Sequence, residues 1–200
     1  MTKKVLVSLL VLFAILLLIA SAVLVFLFIR STPSALPRIE SLPYTDPEQV
    51  WVSRPYESGH QGIDISTDQV IDLISPGDGI FHKDMYYHAG VPRWQVNTEI
   101  RQGGYAIEML LEPGNSVSQA EAQIQYDMLI PNGTRVKAGD LLGQRYIASG
   151  QPYAILHLAV RENSSGTFFC PLGYISEQAG TDLLALFHRD YPGGTLCSVE

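Results

Sequence analysis

From residue 59 onward the chain alternates between short runs of β-forming residues and clusters of turn formers. Segments 62–66, 70–74, 79–82, 105–111, 123–129, 141–147 and 154–161 read as strands. Between them stand Gly77-Asp78-Gly79, Pro113-Gly114-Asn115, Pro131-Asn132-Gly133 and Ala138-Gly139-Asp140, residues that tolerate positive φ or close tight turns. In the last segment, strand alternation puts Ala154, Leu156, Leu158 and Val160 on one face. Ile155, His157, Ala159 and Arg161 fall on the other. One helix is expected near the end, where Thr181-Asp182 can cap Leu183-Leu184-Ala185-Leu186-Phe187-His188 and Gly193-Gly194 stops the chain. The expected fold is therefore mostly β with a short C-terminal helix, and no internal repeat or heptad complicates it.

The N-terminal third has a different pattern. Residues 5–29 form an apolar run broken only by Ser8 and Ser21, longer than the roughly 20 residues a bilayer core requires. An uncleaved, single-pass membrane helix is expected within residues 1–30. Ala20-Ser21-Ala22 would suit signal cleavage, but Val23-Leu24-Val25-Phe26-Leu27-Phe28-Ile29 would then begin the mature chain. Residues 31–58 carry Pro33, Pro37, Pro43, Pro47 and Pro55 without sustained periodicity and read as a Pro-rich linker. Residues 59–200 make up one β domain.

Composition and charge narrow the function. Outside the apolar run and Met1, apolar residues make up roughly 40% of the chain, enough for a core; a polytopic transporter and a disordered chain are both excluded. All 20 acidic residues lie beyond Arg30, against 10 basic ones, a net charge of −10. Such a domain repels phosphate backbones, so nucleic acid is not an expected partner. Lys3 and Lys4 precede the apolar run and only Arg30 follows it. The positive-inside bias then places the N-terminus in the cytoplasm and the domain outside. Cys170 and Cys197 are the only cysteines; in an oxidising compartment a structural disulfide is expected, two buried free thiols being the alternative.

Two features carry chemistry. His60-Gln61-Gly62-Ile63-Asp64 sets an imidazole and a carboxylate four residues apart around a glycine that lets the backbone bend, a half-site for a metal. His157 lies opposite the aliphatic row of its strand, where its bland reading is a half-buried histidine with a backbone partner.

In this order, these residues resemble the M23 peptidase family (LytM or lysostaphin-like), zinc endopeptidases that cut peptidoglycan cross-bridges. The resemblance spans most of residues 59–175. His60-Gln61-Gly62-Ile63-Asp64 looks like the family's His-x-Gly-x-Asp motif, and Ser75-Pro76-Gly77-Asp78-Gly79-Ile80 like the strand and Asp-Gly turn that follow. Val136-Lys137-Ala138-Gly139-Asp140-Leu141-Leu142-Gly143 looks like its Val-Lys-x-Gly-Asp-x-x-Gly hairpin, and Ile155-Leu156-His157-Leu158-Ala159-Val160-Arg161 stands where the family has His-x-His-Phe-Glu-Val-Arg.

The resemblance implies an antiparallel β-sandwich or sheet of the M23 type and one zinc ion on His60, Asp64 and His157. Two imidazoles, one carboxylate and an open fourth position are the donor set of a catalytic zinc. It also implies that both usual catalytic histidines are gone, because Ile155 and Met128 stand in their places. Their loss removes acid–base and oxyanion assistance, each worth roughly a hundredfold or more. His82, His88, Glu108 and Asp127 are the candidates to replace them; the bland reading of His82, His88 and His188 is surface or helix-end histidines.

The expected function is accordingly a membrane-anchored, extracytoplasmic bacterial domain, a zinc-binding but catalytically degenerate peptidase homologue. It would bind peptidoglycan or a cell-wall hydrolase partner. The alternatives are an active metallopeptidase with an unconventional base, and a biotinyl/lipoyl-like adaptor module, for which there is no lysine in a modified-hairpin context.

Overall fold

The structure, a computed structural model, describes residues 13, 15, 17–21 and 36–198. The expected membrane helix falls largely outside the described residues. Those of its residues that are described, Phe13, Ile15 and 17–21, are helical and exposed. Among the described residues, no helix is long and apolar enough to cross a membrane.

The folded unit is mostly β. Ten strands follow one another: β1 (Trp51–Arg54), β2 (Ile63–Thr67), β3 (Ile71–Ile74), β4 (Gly79–His88), β5 (Arg93–Gln102), β6 (Tyr105–Glu112), β7 (Arg135–Val136), β8 (Leu141–Arg145), β9 (Ala154–Glu162) and β10 (Phe168–Phe169). Eight of them form one curled antiparallel sheet in the order β1-β2-β9-β6-β5-β4-β7, with β10 beside β9. β3 and β8 form a separate two-stranded ladder.

The aliphatic row read from residues 154–161 is buried throughout: Ala154, Leu156, Leu158 and Val160 are all 1% exposed or less. It continues across neighbouring strands through the pairs Ile63–Leu158, Ile65–Leu156, Ile107–Val160 and Ile100–Ile107. Leu73 of β3 and Leu142 of β8 belong to the same core. Apolar residues on one face of each strand thus set the register, because a slip of one residue would turn every one of them outward.

Three expectations need correction. Residues 123–129, read as a strand, lie mostly within a helix, α1 (Gln119–Asp127). Its start is written as a capping box: Ser118 accepts from the Glu121 amide while the Glu121 carboxylate accepts from the Ser118 amide. The C-terminal helix, α2 (Glu177–Asp190), begins at the Ser176 cap, earlier than the Thr181-Asp182 start expected.

Of the stretch read as a linker, residues 36–58 are also part of the fold. Ile39, Leu42, Tyr44, Val50 and Val52 are buried, and β1 is a strand of the main sheet. Pro47 opens a short 3-10 turn, and Pro55 directly follows the edge strand β1. α2 covers that edge: the Asp190 carboxylate accepts from the Val52 amide at 2.8 Å, and Arg189 donates to the Val50 carbonyl. An otherwise open ladder is thereby closed. β5 was not anticipated, because Arg93, Gln95, Asn97, Glu99 and Arg101 put charge and amides where an ordinary half-exposed strand would carry small polar residues.

Cys170 and Cys197 form a disulfide, with Cα atoms 6.1 Å apart and a sequence separation of 27. The bridge holds the C-terminal tail beside Tyr56, whose amide donates to the Leu196 carbonyl and whose carbonyl accepts from the Ser198 amide.

Candidate metal centre

β2 and β9 are hydrogen-bonded neighbours, and their register sets Asp64 directly opposite His157. Cross-strand partners in an antiparallel pair project from the same face, with Cβ atoms about 5 Å apart. His60 comes from the turn just before β2 and is brought over the same point. The three residues each offer a ligand atom, and these atoms lie within 4.8 Å of one another. All three sequence-predicted ligands therefore meet.

One oxygen organises the group. Asp64 Oδ1 lies 2.8 Å from His157 Nδ1 and 3.1 Å from His60 Nε2. The rings meet edge to face, with centroids 4.9 Å apart. The other nitrogen of His60, Nδ1, lies 2.8 Å from the Pro55 carbonyl. A carbonyl only accepts, so Nδ1 carries hydrogen and Nε2 is the nitrogen left for a ligand bond; outer-shell contacts of this kind fix tautomer and ring direction at metal sites. The bland reading of His157 is corrected here, since its partner is a carboxylate rather than the backbone.

Gly62 has a different role from the one its motif suggests. A Cβ at this position would lie 2.1 Å from His157 Nε2 and 2.3 Å from Cε1. The requirement is space for the ring, not backbone bending.

Burial and charge agree with this geometry. Burial works to raise the Asp64 carboxyl, but hydrogen bonds from His157 and His60 outweigh it and hold the group down at about 2. For His60, burial disfavours the charged ring, yet Asp64 and the Pro55 carbonyl prevail and raise it. In the absence of a cation the carboxylate is held between two imidazoles. A divalent ion would take the place of those protons, and the donor set of two imidazoles and one carboxylate suits zinc.

The surrounding face differs from the apolar core beneath it. Ile155 pairs with Ser66 on one side and Glu112 on the other, while Leu110 stands opposite His157. Glu112 was missed in the sequence because only the β6–β9 register brings it there. It is 8% exposed and fully committed: it accepts from Gln95 Nε2 at 2.6 Å and is paired with Arg93. Burial raises its carboxyl, with Arg93 opposing.

The other candidate replacements are engaged elsewhere. Glu108 accepts from Arg161 Nε at 3.1 Å. His82 pairs with Glu99 on β4–β5, three strands from β9, about 14 Å at ordinary strand spacing. His88 Nδ1 accepts from the Val91 amide at 3.0 Å in the β4–β5 hairpin, and Asp127 accepts from Gln123 within α1. His188 lies in the last turn of α2 against Phe187.

Met128 caps the C-terminus of α1, and its carbonyl packs against Gly143 of β8. The turn that leads from β7, paired with β4, to β8, paired with β3, is pinned by two carboxylates. Asp140 accepts from the Lys137 amide at 2.7 Å, and Asp78 accepts from the Ala138 amide at 3.0 Å. The two Asp-bearing turns noted in the sequence are thus one structural unit.

No family model matches the chain, and no curated protein matches it.

Proposed function

We propose that the protein is a metal-binding domain of the M23 type that has lost efficient peptidase chemistry and acts by binding. Its site would hold one zinc ion on His60, Asp64 and His157. The observation that carries the reading is the convergence of these three ligand atoms within 4.8 Å; at positions 155 and 128 the resemblance calls for histidine, and the chain has Ile155 and Met128.

A bound zinc would supply Lewis acidity and a water of lowered pKa. What the chain itself would contribute is orientation: Pro55 aims His60, the β2–β9 register aims His157, and Gly62 leaves room for its ring. It offers little for proton transfer. The carboxylate nearest to position 155 in the register, Glu112, is held by Arg93 and Gln95, which favours the degenerate reading over an active enzyme with an unconventional base.

The partner would be peptidoglycan or a cell-wall hydrolase, met outside a bacterial cell membrane to which residues 1–30 anchor the domain. The apolar run and the lysines before it support that location. The Cys170–Cys197 disulfide is the form expected of cysteines in an oxidising compartment.

The test is incubation of the purified protein with peptidoglycan sacculi, with and without zinc. Sedimentation with sacculi and no release of soluble fragments is expected. Release of fragments that stops with a chelator and in His157→Ala would establish the active-enzyme reading instead.

A further inference from the structure

The main sheet has one stretch of edge that no described residue covers. α2 shields β1 at one end of the sheet. At the other end β4 pairs with β7 only through Gly79 and Ile80. Cover continues as far as Lys83: Phe81 exchanges backbone bonds with Gly133 and Thr134, and the Asn132 side chain bonds both the amide and the carbonyl of Lys83. From Met85 to Tyr87 no described residue pairs with the outer side of the strand.

Alternation identifies the open groups. Backbone direction reverses at each residue of a strand, so Met85 and Tyr87 point outward as Phe81 and Lys83 do. The inner side agrees, since Trp94, the register partner of Tyr87, turns its amide away to the Val117 carbonyl. Both limits of the open stretch are also fixed: Asn132 occupies the edge at Lys83, and β4 ends at His88. The stretch is therefore 84–88, and its centre is Tyr86.

An axis of two-fold symmetry at Tyr86 would pair this stretch antiparallel with itself. Met85 then lies opposite Tyr87 of a second copy, the two exchanging both backbone bonds, and Asp84 lies opposite His88. These pairs are complementary. Asp84 is exposed, hydrogen-bonded to Asn97, and in no ion pair among the described residues. His88 Nδ1 accepts from the Val91 amide at 3.0 Å, which leaves Nε2 as the nitrogen that donates. Beside Met85 is a cleft of about 510 Å³, with Gln123 and Tyr126 of α1 in its wall. Tyr87 is 50% exposed in the single chain; across from Met85 on the same face, the Tyr87 of a second copy would cover the mouth of that cleft.

We propose that two copies of the chain associate edge to edge through residues 84–88 of β4, continuing one antiparallel sheet across the symmetry axis. An unrelated extended segment would have to bring both an imidazole or other cation and an aromatic ring at this spacing. The chain itself carries them, and symmetry applies each pair twice. Asp84, Asn97, Leu110, His157 and Asp64 succeed one another through paired positions across the sheet, so the dimer presents two candidate metal centres on one face. The pairing does not depend on whether those centres hold a metal.

The experiment is disulfide trapping with the full chain purified in detergent, mildly oxidised and run on non-reducing gels. Tyr86→Cys should form a covalent dimer, because directly opposed residues that exchange no backbone bonds have Cα atoms about 4.5 Å apart, within disulfide reach. Asp84→Cys alone and His88→Cys alone should not, since like positions are offset by about 13 Å along the strand. A mixture of Asp84→Cys and His88→Cys chains should link. Adding Tyr87→Pro, which removes an outward amide without breaking a bond to β5, should cut the yield of that mixture at least tenfold. Association through the apolar run of residues 5–29 would show no such dependence on position. Failure of both Tyr86→Cys and the mixture to link, self-linking of Asp84→Cys as strong as that of Tyr86→Cys, or a yield indifferent to Tyr87→Pro would overturn the proposal. Circular dichroism of each variant verifies that it is folded.

Discussion

The ring of His157 occupies the space where residue 62 would carry a side chain: a Cβ on Gly62 would lie 2.1 Å from Nε2. The glycine of the first motif and the histidine of the last strand, 95 positions apart, are therefore one steric unit.

Gly62→Ala should displace the His157 ring or push β2 away from β9. Since Gly62 does not need positive φ, the effect should come from the clash alone. We expect a loss of about 1–3 kcal/mol in stability, the usual cost of overpacking, together with at least tenfold weaker metal binding. Chemical denaturation and a metal titration on the same variant measure both.

Metal binding should release protons near neutral pH. His60 has a pKa raised above the ordinary 6.5 because Asp64 and Pro55 outweigh burial. A raised folded value stabilises the metal-free fold below 6.5, and that contribution is lost as pH rises through the folded value. Zinc must displace this proton, so affinity should fall as pH drops through the same range. Calorimetry at pH 7 in buffers of different ionisation enthalpy should report proton release, and His60→Ala should abolish this contribution.

The acid side has the opposite sign. Asp64 is held at about 2 against an ordinary 3.8. Its contribution to the metal-free fold is present above 3.8 and is lost as pH falls toward 2, amounting to about 2 kcal/mol. Asp64→Asn should flatten the stability profile between pH 4 and pH 2, measured by thermal melts in the presence of a chelator.

The disulfide should matter to the site as well as to the fold. Bridging residues separated by 27 positions is worth about 3.5 kcal/mol on loop-closure grounds. The bridged tail also brackets Tyr56, next to the Pro55 carbonyl that aims His60. Cys170→Ser/Cys197→Ser should lower stability by about that amount and weaken zinc binding severalfold. Denaturation and zinc titration of the double variant measure the two effects.

The core was legible because it rests on short-range pattern, whereas the joining of His157 to His60 and Asp64 came only from the family resemblance. Alternation in residues 154–161 placed Leu156 inward and His157 outward, and the four-residue spacing of His60 and Asp64 marked them as a pair. What escaped the sequence depends on pairing between distant strands or on local signals set aside. The Ser118–Glu121 capping box announced α1, but β-forming Ile124 and Tyr126 masked it. The prolines of residues 37–55 suggested a tether, although Ile39, Leu42 and Val52 were available to the core all along. Glu112 was invisible as a site neighbour because only the β6–β9 register brings it to Ile155, and Arg93 comes with it through their ion pair.

The central claim is that His60, Asp64 and His157 form a metal site. Its most direct test is the zinc content of the purified protein beside a His60→Ala/His157→Ala double variant, with folding of both verified by circular dichroism. Close to one zinc per chain in the first and none in the second is the predicted result. No zinc in either folded protein after incubation with the ion would contradict it.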